Sequence, residues 1–139
     1  MPKFDLKPIT RPIDLGDYAP EYAGATFHIW VNMPRGLLNE WYLLQRATAD
    51  LVDAVRRDQT DDQAALDRRS TQWQDIDAQL NAWYARAWSQ HSDADTHWTA
   101  DEVRDLSDQL VSSDPQAWVW LNRQCQLTIT EYRTRERKN

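Results

Sequence analysis

His28, His91 and His97 are the histidines of this 139-residue chain, and Cys125 is its single cysteine. Imidazole and thiolate are the customary ligands of zinc, which takes four protein ligands, or three and a water. No histidine has a cysteine or a second helical histidine beside it, and the three lie apart in the sequence. The spacing therefore predicts unconnected histidines and no metal centre. His91, Asp93, Asp95 and His97 share one segment, but that grouping reads as a solvated loop. Cys125 falls in the series Trp118, Leu121, Cys125, Ile129 and Tyr132, whose spacings of three and four make one helical stripe. A thiol on such a stripe is expected to be buried and inert, and no base stands near it in sequence to make it a nucleophile.

The carboxylate pairs fare no better. Asp75 and Asp77 are two apart, and on a helix such residues point away from each other; the neighbours Asp61 and Asp62 read as solvated charge. Gly16, Gly24 and Gly36 form neither a phosphate-cradling GxxxxGK[ST] loop nor a GxGxxG turn. The residue pattern thus predicts no catalysis, no metal and no cofactor.

Tryptophan is the outlier, with eight residues. Each brings a large apolar surface and one N–H donor, so together they serve a helical core, a binding surface, or both. Trp118 fits its helical stripe, whereas Trp120, two residues on, faces elsewhere. Trp30 lies opposite Phe27, Ile29 and Val31 on an alternating segment. Trp88 closes the second helix and Trp98 closes the loop after it. Trp30, Trp88, Trp98 and Trp120 are the candidate partner-binding residues, because exposed aromatics anchor interfaces. For Trp30 the competing reading is a contact between the strands and the helices.

Charge narrows the partner. The formal net charge is −6 and the pI about 4.9. An acidic surface repels phosphate backbones and anionic bilayers, which predicts neither a nucleic-acid nor a membrane partner. The basic run Arg133, Arg135, Arg137 and Lys138 is interrupted by acids and suits a helix C-terminus, where cations offset the dipole. No run approaches the roughly 20 apolar residues of a membrane span. The opening residues have no apolar leader core, and a lone cysteine suits a reducing compartment. The expected location is the cytosol.

The elements that must position these residues are mostly helical. Ile13 and Leu15 alternate with polar neighbours after Pro12, which confines that segment to an edge strand or strand start. Thr26 to Val31 is β-branched and aromatic and alternates cleanly. The two segments predict a wide hairpin with its Phe27, Ile29, Val31 face on the helices. A lone hairpin is marginal in water, so it must rest on the helices or add to another chain. Asn32 is expected to cap the first helix, with Pro34 in its first turn, running to about residue 58. A polar joint leads to a second helix, about 62–89, whose first half is poor in apolar residues. Thr99 and Glu102 match a capping box for a third helix, about 100–111. Asp114 and Pro115 open a fourth, with Asp114 as its N-cap. The fold class is mainly α: one domain, residues 1–34 forming an extension and β-hairpin packed on a bundle of about four helices, 35–139.

One stretch carries a resemblance. KPITRPIDLGDYAPEYAGATFHIWVNMPRGLL is similar to the N-terminal region of tail assembly chaperones of long-tailed, siphovirus-like bacteriophages. The likeness rests on Leu15-Gly16-Asp17-Tyr18 and on Trp30-Val31-Asn32-Met33-Pro34, and spans about a quarter of the chain. It implies a non-enzymatic protein that binds the tape-measure protein, keeps its long helices soluble in the host cytoplasm and helps tail-tube subunits assemble around it. It also implies absence from the finished particle and a frameshifted longer form. A homo-oligomer is compatible with this reading. The rival readings are a small phage or bacterial adaptor or structural protein, and a helical enzyme whose site is assembled from residues distant in sequence.

Overall fold

The computed structural model describes residues 7–57, 62–89 and 97–138, with the side chains of 135–138 left aside. Strand β1 covers Thr10–Asp14 and β2 covers Thr26–Trp30. Helix α1 spans Arg35–Arg57 and α2 spans Gln63–Ala87. A two-residue strand, β3, follows at Trp88–Ser89, then α3 at Ala100–Ser113 and α4 at Pro115–Lys138. The fold is mainly α with a small antiparallel sheet at its N-terminal end, as the patterning predicts.

The sheet has the order β1-β2-β3. Thr10 faces Trp30 and Asp14 faces Thr26 across the first ladder. Pro12 lies in β1, an edge strand, where its missing N–H breaks no central ladder. The hairpin loop is wide because two 3-10 turns, Leu15–Asp17 and Pro20–Tyr22, fill it. Gly16 is required where those turns meet. An added Cβ would lie 2.9 Å from the Cα of Ala23, and the Gly16 N–H donates to the Asp14 carboxylate at 2.8 Å.

Alternation along β2 divides its faces. Phe27, Ile29 and Val31 are buried in the core with Ile13 and Leu15, while Thr26, His28 and Trp30 are partly buried on the other face. The helices complete that core with Leu37, Leu38 and Trp41 from α1, Trp83 and Tyr84 from α2, and Val103 and Leu121 from α3 and α4. Helices α1 and α2 run antiparallel. The Trp83 indole donates to the Leu37 carbonyl at 2.8 Å at one end, and Leu51 lines the same groove as Gln72 and Ile76 at the other. The polar joint expected between them lies outside the described residues. The first half of α2 has no buried residue before Asn81, in keeping with its sparse apolar content.

Two local expectations are corrected. The second helix ends at Ala87, not at Ser89, because Trp88 and Ser89 extend to pair with Ile29 and His28 on the free edge of β2. Asn32 does not cap α1: its Oδ1 accepts from the Trp30 indole and from the Ile9 N–H, both at 2.7 Å, and its Nδ2 donates to the Lys7 carbonyl at 3.0 Å. Helix α1 starts after Pro34, whose carbonyl accepts the first helical bond from Leu38. Asp114 takes the N-cap position of α4 as expected, its carbonyl accepting from the Ala117 N–H at 3.0 Å, while its carboxylate accepts from Tyr18 at 3.2 Å and from Tyr22 at 2.9 Å and so clasps the hairpin loop to the α3–α4 corner. The Thr99–Glu102 capping box forms as expected.

Candidate protein-binding site

Two of the four candidate tryptophans meet at one cavity. Trp30 and Trp98 line an opening of about 640 Å³ together with Pro34, Leu37 and Ala85, with Arg86 and His97 also in its wall. Each wall has a local cause. Trp30 is on the outer face of β2 because alternation puts Ile29 and Val31 inside, and its hydrogen bond to Asn32 fixes the indole. Trp98 is held by its ring, which stacks on Phe27 at 5.4 Å and 24° and meets Trp88 edge-on at 6.4 Å. Its Nε1 has no hydrogen-bond partner among the described residues. Arg86 pairs with Glu40 at 2.6 Å, both side chains about half exposed.

Apolar walls with a charged pair at the side suit a large apolar side chain from a partner. Among the described residues that line the opening, none is a serine, threonine or cysteine.

The other two candidates are placed elsewhere. Trp88 is fully buried; it is a core residue, not part of an exposed surface. Its ring stacks on Tyr84 at 4.3 Å and lies 5.0 Å from Phe27, and its indole donates to the Cys125 sulfur at 3.4 Å. The correction follows from β3, which turns Trp88 inward opposite Ile29. Trp120 is partly buried and its ring lies 5.8 Å from Tyr18, so it packs against the hairpin loop and takes no part in the Trp30–Trp98 opening.

The chemistry-bearing residues are also placed. Cys125 is buried, and burial pushes its thiol up to about 12 against a lesser opposing effect from the Trp88 hydrogen bond. Burial likewise pushes the Tyr84 phenol well above its usual value; its hydroxyl donates to Asn122. Two of the histidines flank Ser89, one on either side of it. His28 faces Ser89 across the ladder, and Ser89 bridges to His97. His28 Nδ1 and Ser89 Oγ have no hydrogen-bond partners among the described residues, yet Ser89 is only 1% exposed, so no substrate reaches that hydroxyl. No group of three metal-ligating side chains occurs among the described residues. His91, Asp93 and Asp95 lie outside them.

Sequence reasoning missed the Trp30–Trp98 pairing because it depends on β3 and the segment after it. Alternation in β2 gave the available signal, since it placed Trp30 on the outer face. No helix among the described residues is long and apolar enough to cross a membrane. Comparison with protein-family models, with curated proteins and with solved structures gives no match.

Proposed function

We propose that this chain is a non-enzymatic tail assembly chaperone that binds the tape-measure protein and keeps it soluble in the host cytoplasm. The observation that carries the binding part of this reading is the Trp30–Trp98 opening, with Leu37 and Pro34 in its wall. A groove of this kind takes apolar anchors spaced along one face of an amphipathic helix, and tape-measure proteins are long and helical. The tail-assembly part is supported by the resemblance at Leu15–Tyr18 and Trp30–Pro34. Those two motifs fall at the first 3-10 turn and at the Trp30–Asn32 junction beside the opening.

Co-expression tests the proposal. The tape-measure protein of the same tail should become more soluble in the presence of this chain and co-purify with it. Trp30→Ala should weaken that complex while the chain stays folded. Failure of every tape-measure fragment to co-purify refutes the chaperone reading. Stable presence of the chain in purified particles would favour the structural-adaptor reading instead.

A further inference from the structure

A second cleft, of about 660 Å³, opens between the start of α1 and the later part of α4. Arg35 and Arg133 line it beside Met33, Leu38, Tyr42 and Tyr132, and no acidic residue does so among the described residues. Neither guanidinium makes an ion pair or hydrogen bond among the described residues. A third cation lies over one ring of the cleft wall: the Arg11 guanidinium is 5.7 Å from the centre of the Tyr132 ring. This is a local reversal of sign, since the chain has 22 acidic residues against 16 lysines and arginines.

We propose that this cleft is a docking site for an acidic peptide segment of a protein partner, with carboxylates on Arg35 and Arg133. Guanidinium forks match carboxylates with two parallel hydrogen bonds each. Met33, Leu38 and the two tyrosine rings take an apolar side chain between those contacts. The acidic remainder of the surface argues against an extended polyanion, which must approach along many phosphates, but leaves a short acidic segment free to dock at one place. The cleft adjoins the first opening. Pro34 and Leu37 line one, and Arg35 and Leu38 line the other, so the two flank the first turn of α1. The inference does not depend on the tail-assembly reading, because the chemistry selects a kind of segment and not a particular protein.

The test uses the full chain and a fluorescein-labelled peptide of about fourteen residues, with Glu and Leu alternating at helical spacing. Anisotropy should report a Kd of roughly 10–100 μM at low salt. Affinity should fall severalfold as salt rises, because exposed charge pairs are screened. Arg35→Gln with Arg133→Gln should weaken binding about tenfold, the size expected for losing two exposed charged contacts. Arg46→Gln with Arg68→Gln, on the exposed faces of α1 and α2, should leave it unchanged. The proposal is overturned by no binding up to about 1 mM, by equal binding of a Lys/Leu peptide, or by salt-independent binding of the unaltered protein. It is also overturned if inorganic phosphate or a single-stranded oligonucleotide displaces the peptide at matched ionic strength.

Discussion

Truncating Trp88 and Trp30 separately is the sharpest test of which tryptophans hold the fold. Trp88 is fully buried and stacked on Tyr84 at 4.3 Å, with Phe27, Trp98 and Trp118 around it. Burying a Trp removes about 200 Å² from water, and at about 25 cal/mol per Å² this stabilises by roughly 5 kcal/mol as an upper bound. Truncation also leaves a cavity that the surrounding rings cannot fill, so Trp88→Ala should cost about 4–5 kcal/mol. That is a large share of the roughly 5–15 kcal/mol that holds a typical domain folded. Trp30 is partly exposed and borders open space, so Trp30→Ala should cost about 1 kcal/mol, including its bond to Asn32. Urea denaturation followed by far-ultraviolet circular dichroism reads both values from the midpoint at constant slope. Equal costs would refute the division into core and surface. A Trp88→Ala cost below about 2 kcal/mol would refute the aromatic core itself.

Three further outcomes are expected. Asp114→Ala should lower the melting temperature, and its effect should shrink in a Tyr18→Phe/Tyr22→Phe background, because the carboxylate acts through those hydroxyls; strict additivity in thermal melts would show that the hydroxyl bonds contribute nothing. Cys125 should resist iodoacetamide at pH 8 in the native protein and react once the chain is unfolded in urea. Its thiol stays protonated up to about 12, so the folded state loses stability only above pH 9, as the unfolded thiol ionises and the buried one does not; fast native alkylation would contradict this. Asp77 is pushed above the usual carboxylate value by partial burial and then by Asp108. Its ionisation therefore opposes folding above that value and not below it. Asp108→Asn should stabilise the protein at pH 7 by about 0.3 kcal/mol after solvent screening, and by nothing measurable near pH 3; a loss of stability at pH 7 would reverse the sign of the argument.

Local patterns were readable where local physics decides. Alternation along Thr26–Val31 gave the strand and its inner face, and Pro12 gave the edge position. Thr99 and Glu102 gave a helix start, and the spacing around Cys125 gave its burial. What escaped depends on contacts far along the chain. Trp88 continues a helical stripe by spacing alone, but an unpaired edge of β2 draws it into a strand. Asn32 and Asp114 have the chemistry of caps, yet each is engaged by partners that no local rule supplies: Lys7 and Ile9 for one, Tyr18 and Tyr22 for the other. Of the four candidate tryptophans that the sequence pattern singled out, two line a common opening. Trp30 and Trp98 meet, whereas Trp88 went inside and Trp120 went to the loop.

Helix α2 passes into β3 with no intervening loop, since Ala87 is its last helical residue and Trp88 already pairs with Ile29. A rod of 25 residues, roughly 37 Å long at 1.5 Å per residue, is thus clamped at one end to the sheet that carries Trp30. Ala85 and Arg86, in the last turn of that rod, form part of the wall around the tryptophan opening. The wall of the tryptophan opening is therefore continuous in the backbone with both the sheet edge and the part of α2 that shares a groove with Leu44 and Leu51 of α1.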